Sequence, residues 1–316
     1  MTPTLRQFEY IVALAETGQF VEAARTCGVS QPALSKQIKD VEYLLGFPVF
    51  ERTRPLVIVT PAGQEIVRRA REILAKTEEL MNAAKAAAGI RQGTVRLGVI
   101  PTIAPYGLPG FLMKLRKVFP DVSFAIQEIQ TETLLTNLKS GAVDLALLAQ
   151  PFDASGLSGK DVVIEPFVLL APTGHPLSSP FSVNAEDLAG ASLILMEDGH
   201  CLRDQAIDVC ARAGRPPATS VTAASISTLV RMVESGLGAT LLPASALAAE
   251  VRQGEGVQAR SFGKRPPGRT ITLQWRQTAP NGSWYEEIAQ ILREHYLELN
   301  AGLPKIAGPK PKIVAA

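Results

Sequence analysis

The sequence of 316 residues is poor in cysteine, histidine and tryptophan, with three, three and two of them. So few cysteines, and an odd number, do not make a secreted disulfide scaffold. No sign of charge dominates: 32 Lys and Arg face 30 Asp and Glu, for a formal net charge of +2. These totals give no hint of nucleic acid. No apolar run approaches the ~18 residues of a membrane span. Glu9 and Glu16 sit inside an amphipathic N-terminal pattern, which is not the pattern of a signal peptide. Zinc spacings such as CxxC or HxxxH are missing, and His175 and His295 lie far along the chain from any Cys. Gly236-Leu237-Gly238 lacks the third glycine and the leading strand of a dinucleotide site. There is no Gly-x-Ser-x-Gly elbow and no phosphate loop. Neither a metal nor a cofactor is expected. What remains, 46% apolar and 20% charged, is the composition of a folded soluble protein long enough for a small domain plus a larger one. These totals alone suggest a cytosolic small-molecule enzyme, but the local patterns point elsewhere.

Leu5, Phe8, Ile11, Val12 and Ala15 recur at helical spacing, and Phe20, Ala23, Ala24 and Cys27 mark a second helix. Gly28-Val29 makes a tight turn. Ser30 then N-caps a third helix, with Pro32 in its first turn, where a missing N–H costs little. That helix buries Leu34, Ile38 and Val41, ends near Gly46, and turns Gln31, Ser35, Lys36 and Lys39 outward. A helix pair with a short turn and a basic, polar second helix reads as a helix-turn-helix. Val49 to Val59 reads as a hairpin with Arg52 and Arg54 at its tip, a wing able to touch phosphate or the minor groove.

From Thr60-Pro61 to about Ala88, Ile66, Ala70, Ile73, Thr77, Leu80 and Ala84 form a heptad seam. The natural partner for such a stripe is the same helix of a second chain. Gly89 to Gly93 reads as a linker. Beyond it, strand-like runs (94–100, 122–127, 144–148, 167–171, 192–196) alternate with helical ones (108–118, 134–140, 226–235). The alternation predicts an α/β body with largely parallel sheets, and ~200 residues suffice for two α/β subdomains with a cleft between them. The expected divisions are 1–60, 61–90, 91–300 and a loose tail, 301–316.

Ala23-Ala24, Val29-Ser30-Gln31-Pro32-Ala33-Leu34-Ser35, Ile38, Glu42, Leu45-Gly46, Phe50-Glu51-Arg52 and Thr60-Pro61-Ala62-Gly63 resemble the LysR-type transcriptional regulators over essentially residues 1 to 300. The body is similar to that of the family's peroxide-sensing members. The match rests on Ile100-Pro101-Thr102, Pro105-Tyr106, Gln130-Thr131 and Met196-Glu197-Asp198-Gly199-His200-Cys201-Leu202-Arg203-Asp204-Gln205-Ala206, followed by Cys210. The resemblance implies a winged helix-turn-helix, a linker helix, a regulatory domain shaped like a periplasmic binding protein, and a tetramer built as a dimer of dimers. It also implies a cytoplasmic, non-enzymatic activator. Its partners would be double-stranded promoter DNA, hydrogen peroxide as signal, RNA polymerase and a cellular thiol reductant. Gln31, Pro32, Ser35 and Lys36 would meet DNA bases, and Arg52 and Arg54 the phosphates or minor groove.

Cys201 stands nine positions before Cys210. On one straight helix, nine steps separate them by ~13 Å along the axis and ~180° around it, whereas a disulfide needs Cα atoms within ~7 Å. Bridging therefore requires the 203–209 segment to unravel or bend, which turns an oxidation into a shape change. His200 and Arg203 flank Cys201, which would open the helix, so a thiolate is expected there. Cys210, in an apolar context, is the natural resolving thiol. The resemblance assigns Thr102 and Thr131 to the peroxide site. His200 and Asp204 are expected as hydrogen-bond partners of Cys201 or a bound water, and Arg269 as part of the same network. Cys27 reads as a structural residue. Two rivals stay open: a regulator of the same family that answers to a small organic effector with idle cysteines, and a thiol peroxidase or solute binder.

Overall fold

The structure is a computed structural model that describes residues 2–52, 56–87, 92–178, 182–189, 191–217, 221–251, 256–262 and 266–301. The chain forms two compact units, one of Met1–Ile90 with Lys139–Ala142 and one of Arg91–Leu138 with Val143–Ala316.

In the first unit, α1 (Leu5–Thr17) starts at a capping box between Thr4 and Gln7 and stops at Gly18, a residue with φ of 64°. The helix pair is α2 (Phe20–Thr26) and α3 (Gln31–Leu45). Between them Gly28 takes φ of 65°, a conformation that penalises any Cβ. The Ser30 hydroxyl accepts the Ala33 N–H at 3.4 Å, satisfying one of the orphan donors of the first turn of α3. Strands β1 (Phe50–Arg52) and β2 (Val57–Val59) pair antiparallel as the wing. Glu42 fastens the wing's base to α3, its carboxylate accepting the N–H groups of Val49 and Phe50 at 2.9 and 3.1 Å.

Helix α4 (Pro61–Ala87) follows. The Thr60 hydroxyl accepts the Gly63 N–H and donates to the Pro48 carbonyl, both at 2.9 Å. A Cβ on Gly63 would stand 2.2 Å from the Val49 carbonyl oxygen, so glycine at this position lets the helix start so close to the wing. The core of the unit gathers Ile11, Leu14, Leu34, Ile38, Val41, Val49 and Phe50. The expected heptad seam divides. Ala70 is buried in this core, with Ile66 packed against it, while Ile73, Leu80 and Met81 are 40%, 69% and 57% exposed. The exposed part of the α4 seam therefore begins at Ile73, about two turns later than the heptads predict, because α1 already covers the first turns of α4.

The second unit opens with β3 (Gly93–Val99), α5 (Ala104–Val118), β4 (Val122–Glu128), α6 (Thr131–Ser140) and β5 (Leu145–Ala149). The 16-residue β6 (Leu157–Pro172) leads on to β7 (Ser182–Val183), β8 (Leu195–Met196), α7 (Cys201–Arg212), β9 (Thr222–Ala223), α8 (Ile226–Glu234), β10 (Thr240–Pro243), α9 (Leu247–Glu250) and β11 (Val257–Phe262). Strand β12 (Gly268–Arg276) and α10 (Gly282–Ala301) close the fold. Two apolar cores define two lobes. Leu97, Val99, Phe111, Leu145 to Ala149, Ile271 and Leu292 fill the first. Phe167 to Ala171, Leu195, Leu202, Val209, Cys210, Leu229 and Leu241 fill the second.

The sheet order is β4-β3-β5-β12-β6-β11-β7, with β10 also on β6. Among the described residues the parallel strand pairs are β3 with β4 and β5, β7 with β11, and β8 with β9. The expectation of largely parallel sheets is corrected here: the chain leaves the first lobe along β6 and returns along β12, so these two run antiparallel and sit side by side. The first ten residues of β6 pair with β12 and its last six with β10 and β11, which makes β6 the strand that joins the lobes. The runs expected from the alternation match to within a few residues, except at 167–171, where β6 begins ten residues earlier, at Leu157, and at 192–196, where pairing as a strand is limited to Leu195–Met196. Arg54, the first residues of the expected linker and the expected tail from 302 onward lie outside the described residues.

Candidate functional site

Cys201 is the first residue of α7. Its half-buried side chain packs against the core of the first lobe. The next turns of the same helix, Leu202, Ala206, Val209 and Cys210, belong to the core of the second. One helix thus holds one thiol at the junction of the lobes and the other, 0% exposed, inside a lobe. Both are free thiols. With α7 an unbroken helix from 201 to 212, the two sulfurs are held apart as the helical spacing requires.

Burial pushes the Cys201 thiol pKa up, and the charge of Arg269 and a hydrogen bond from Thr131 work against that rise. Asp204, exposed on the helix, adds to the rise through its charge. The flanking cations read from the sequence are not the ones that act. Arg203 is engaged by Asp198 at 2.8 Å and by the Met196 carbonyl at 3.1 Å. His200 is buried, which lowers its pKa and favours the neutral ring, and its Nε2 lies 3.3 Å from Nε2 of Gln130. The cation at Cys201 comes from β12, some seventy positions further along the chain. Cys210 has no such help; burial alone raises its pKa to about 11.

Arg269 is fully buried. Its Nη1 and Nη2 donate to the hydroxyl and the carbonyl of Thr102 at 2.7 and 2.9 Å, and its Nε donates to Glu165 at 2.8 Å. Since the Thr102 oxygen accepts from a guanidinium, its own proton must point elsewhere, and Thr102 becomes a donor to whatever occupies the junction. Thr102 lies in the turn after β3, and Thr131 is the first residue of α6. Both sit at the carboxyl ends of parallel strands, where α/β sheets place ligand groups. Other side chains cross the junction. Gln205 donates to the Gln150 carbonyl at 2.7 Å, and the Tyr106 hydroxyl donates to Glu250 at 2.9 Å. The Oε1 of Gln205 is buried with no hydrogen bond among the described residues.

The sequence-predicted residues Cys201, Thr102, Thr131, His200 and Arg269 thus gather at one junction, with Asp204 at its rim and Cys210 outside it. Glu165, Gln150 and Ser245 were not read from the sequence. A signal for Glu165 existed: it is the lone charge in Val162-Val163-Ile164-Glu165-Pro166-Phe167-Val168, and a carboxylate in a buried strand demands a partner. In the first unit Gln31, Pro32 and Lys36 are exposed and Ser35 is half-buried at the start of α3. Arg52 ends β1. Among the described residues, no group of three or more His, Cys, Asp or Glu could hold a metal ion, and no helix is long and apolar enough to cross a membrane.

A winged helix-turn-helix followed by a two-lobed α/β body with a thiol at the lobe junction is the architecture of a bacterial one-component regulator. The model of the "Bacterial regulatory helix-turn-helix protein, lysR family" matches residues 5–64, and that of the "LysR substrate binding domain" matches residues 88–297. The chain belongs to the LysR family of regulators and, within it, to the OxyR group. It is 40% identical over 298 residues to the probable hydrogen peroxide-inducible genes activator of Streptomyces viridosporus, covering 94% of this chain and 96% of that one. Among solved structures it is similar to a full-length cysteine-to-aspartate OxyR of Pseudomonas aeruginosa, with a TM-score of 0.75, 34% identity, and coverage of 92% and 98% of the two chains. A cysteine-to-serine OxyR of Corynebacterium glutamicum bound to H2O2 matches with a TM-score of 0.68 and 33% identity, over 100% of this chain and 99% of that one.

Proposed function

We propose that this protein is a peroxide-sensing transcriptional activator of oxidative-stress defence genes, switched by a reversible Cys201–Cys210 disulfide. The observation that carries the reading is the placement of two free thiols on one helix, Cys201 at the lobe junction beside Thr131 and Arg269, Cys210 in the core of one lobe. Cys201 as thiolate attacks one oxygen of hydrogen peroxide. The O–O bond breaks, the sulfur becomes a sulfenic acid, and the departing hydroxide takes a proton to leave as water. Thr102 donates a hydrogen bond to a peroxide oxygen, Thr131 turns its hydroxyl from the Cys201 sulfur to the peroxide as it arrives, and Arg269 supplies positive charge as the leaving oxygen turns anionic. His200 and Asp204 order the neighbouring polar groups. Cys210 then attacks the sulfenic sulfur, forming the S–S bond and expelling a second water. A cellular dithiol reductant restores both thiols at its own oxidation.

Because α7 keeps the thiols too far apart to bond, the second step requires the 202–210 segment to leave its helical packing, and the lobe surface changes with it. The division of labour is a DNA-binding head over 1–60, a dimerising helix over 61–90 and a sensing body over 91–300. The exposed Ile73, Leu80 and Met81 form the face that a second copy covers, and a dimer of dimers follows from a further contact between bodies. Gln31, Pro32, Ser35 and Lys36 meet base edges of promoter DNA, and Arg52 and Arg54 its backbone or minor groove. RNA polymerase is the downstream partner and the cytoplasm the site of action. Mass spectrometry of peroxide-treated protein is the test. The expected result is a Cys201–Cys210 bond together with altered promoter binding; no bond, with DNA binding indifferent to oxidant, refutes the switch.

A further inference from the structure

We propose that Glu165 is a positioning residue of the peroxide site: it fixes the guanidinium of Arg269, and through it the hydroxyl of Thr102, and it balances the cation's charge at Cys201. The proposal rests on the peroxide-sensing reading above. Glu165 and Arg269 are direct cross-strand partners on β6 and β12. Their side chains are 2% and 0% exposed, so neither can be replaced by water. A Cβ on Gly268 would stand 2.4 Å from the Glu165 carbonyl oxygen; glycine there lets the two strands close and brings the pair together.

The carboxylate has two duties. Its Oε2 accepts from Nε of Arg269 at 2.8 Å, and its Oε1 accepts the Ser245 N–H, from the second lobe, at 3.1 Å. It therefore ties the site to the point where β6 passes from one lobe to the other. With Nε held by Glu165, the remaining edge of the guanidinium has one orientation, the one that reaches both oxygens of Thr102. A planar fork fixed at three points orients the threonine hydroxyl; a free arginine would not. The buried carboxylate also turns an isolated cation into a nearly neutral pair, so Cys201 meets a dipole in place of a full positive charge.

The two duties separate in one experiment. Full-length protein carrying Cys210→Ser is treated across about pH 6 to about pH 10 with iodoacetamide, which reports thiolate, and with hydrogen peroxide, which also needs the oriented donors. Cys201 is followed peptide by peptide. Glu165→Gln leaves Arg269 unbalanced, so the alkylation profile moves about one unit toward lower pH and alkylation at neutral pH speeds up as much as about tenfold. The ratio of the peroxide rate to the alkylation rate falls at least about tenfold, because an amide has one acceptor oxygen for the two donors, Arg269 Nε and the Ser245 N–H, and no longer fixes the guanidinium that orients Thr102. Glu165→Asp keeps the charge but not the reach; its alkylation profile stays with the parent while the ratio still falls. A loss of packing alone would not separate the two reagents in this way. An unshifted alkylation profile in Glu165→Gln, or an undiminished ratio in either variant, overturns the proposal. If Glu165→Gln does not fold, the ratio in Glu165→Asp decides. If the parent Cys201 does not react with peroxide at all, the sensing reading falls, while the alkylation profiles still test the charge balance at Glu165.

Discussion

Leu202 offers a direct measure of what oxidation does to α7. It is 2% exposed in the core of the second lobe and lies next to Cys201 on the helix that must open. Truncating such a leucine to alanine destabilises a core by about 2–5 kcal/mol. In the switching mechanism that contact exists only in the reduced state, so Leu202→Ala weakens the reduced form and leaves the disulfide form unaffected. Reduction becomes less favourable, and the midpoint potential of the Cys201–Cys210 couple moves to more negative values. For a two-electron couple 30 mV corresponds to about 1.4 kcal/mol, so the expected shift is roughly 40–110 mV. The assay is equilibration in dithiol redox buffers, with the disulfide quantified by alkylation and mass spectrometry. Leu229→Ala is the control. It removes a residue of the same core, 1% exposed, from α8, a helix outside the 202–210 segment that must open, and should lower stability in both states without moving the potential. Equal shifts for the two variants, or none for Leu202→Ala, would mean that α7 stays packed on oxidation and would refute the reasoning.

Further outcomes follow from the same contacts. Thr131→Val removes the hydrogen bond that opposes the rise of the Cys201 pKa, so peroxide oxidation near neutral pH should slow by about tenfold or more, recovering partly in alkali; stopped-flow rates against pH check this. The Cys210 pKa, at about 11 against an ordinary 9.0, makes the buried neutral thiol a source of stability that is complete below pH 9 and lost as pH rises toward 11. Comparing urea midpoints of the parent and Cys210→Ala over that window should show a steeper alkaline loss in the parent, and parallel curves would contradict it. Gly63→Ala forces a Cβ to 2.2 Å from the Val49 carbonyl. It should destabilise the head by on the order of 1–3 kcal/mol in thermal unfolding, where an ordinary Gly→Ala change inside a helix would stabilise. Lys36→Ala, on the exposed face of α3, should weaken DNA binding and, if it contacts phosphate rather than a base, reduce the salt slope by about one per head.

The head was legible because its elements are local. Ser30, Gly28 and Pro32 set the helix pair by rules that act within a few residues, and the structure places caps and turns where those residues predict them. The thiol pair was legible from spacing plus resemblance. Local pattern gave little of what depends on strands distant in sequence meeting. The mixed sheet follows from β12 returning beside β6. The choice of cation at Cys201 follows from the same return: His200 and Arg203 are neighbours in sequence, yet one is buried and the other is occupied by Asp198. Glu165 was silent for a related reason, since a lone carboxylate in an apolar strand announces only that it has a partner and not which one.

The raised thiol pKa bears on how a sensor of this design discriminates among oxidants. Burial reduces the fraction of Cys201 present as thiolate at neutral pH. The remaining thiolate is a stronger nucleophile, but nucleophilicity recovers only about half of what the lost fraction removes on a logarithmic scale. Toward an electrophile that makes no use of the surroundings, Cys201 is therefore slower than an exposed cysteine. In the proposed mechanism peroxide is different, because its breaking O–O bond places charge on an oxygen that receives hydrogen bonds from Thr102 and Thr131 and faces the cation of Arg269. Selectivity then comes from the pocket and not from the thiol. A lower pKa would raise reactivity toward every oxidant alike, leaving the preference to the pocket but ending the thiol's silence toward the rest. On this view the Glu165 carboxylate that restrains Arg269 is part of what makes the sensor quiet until peroxide arrives.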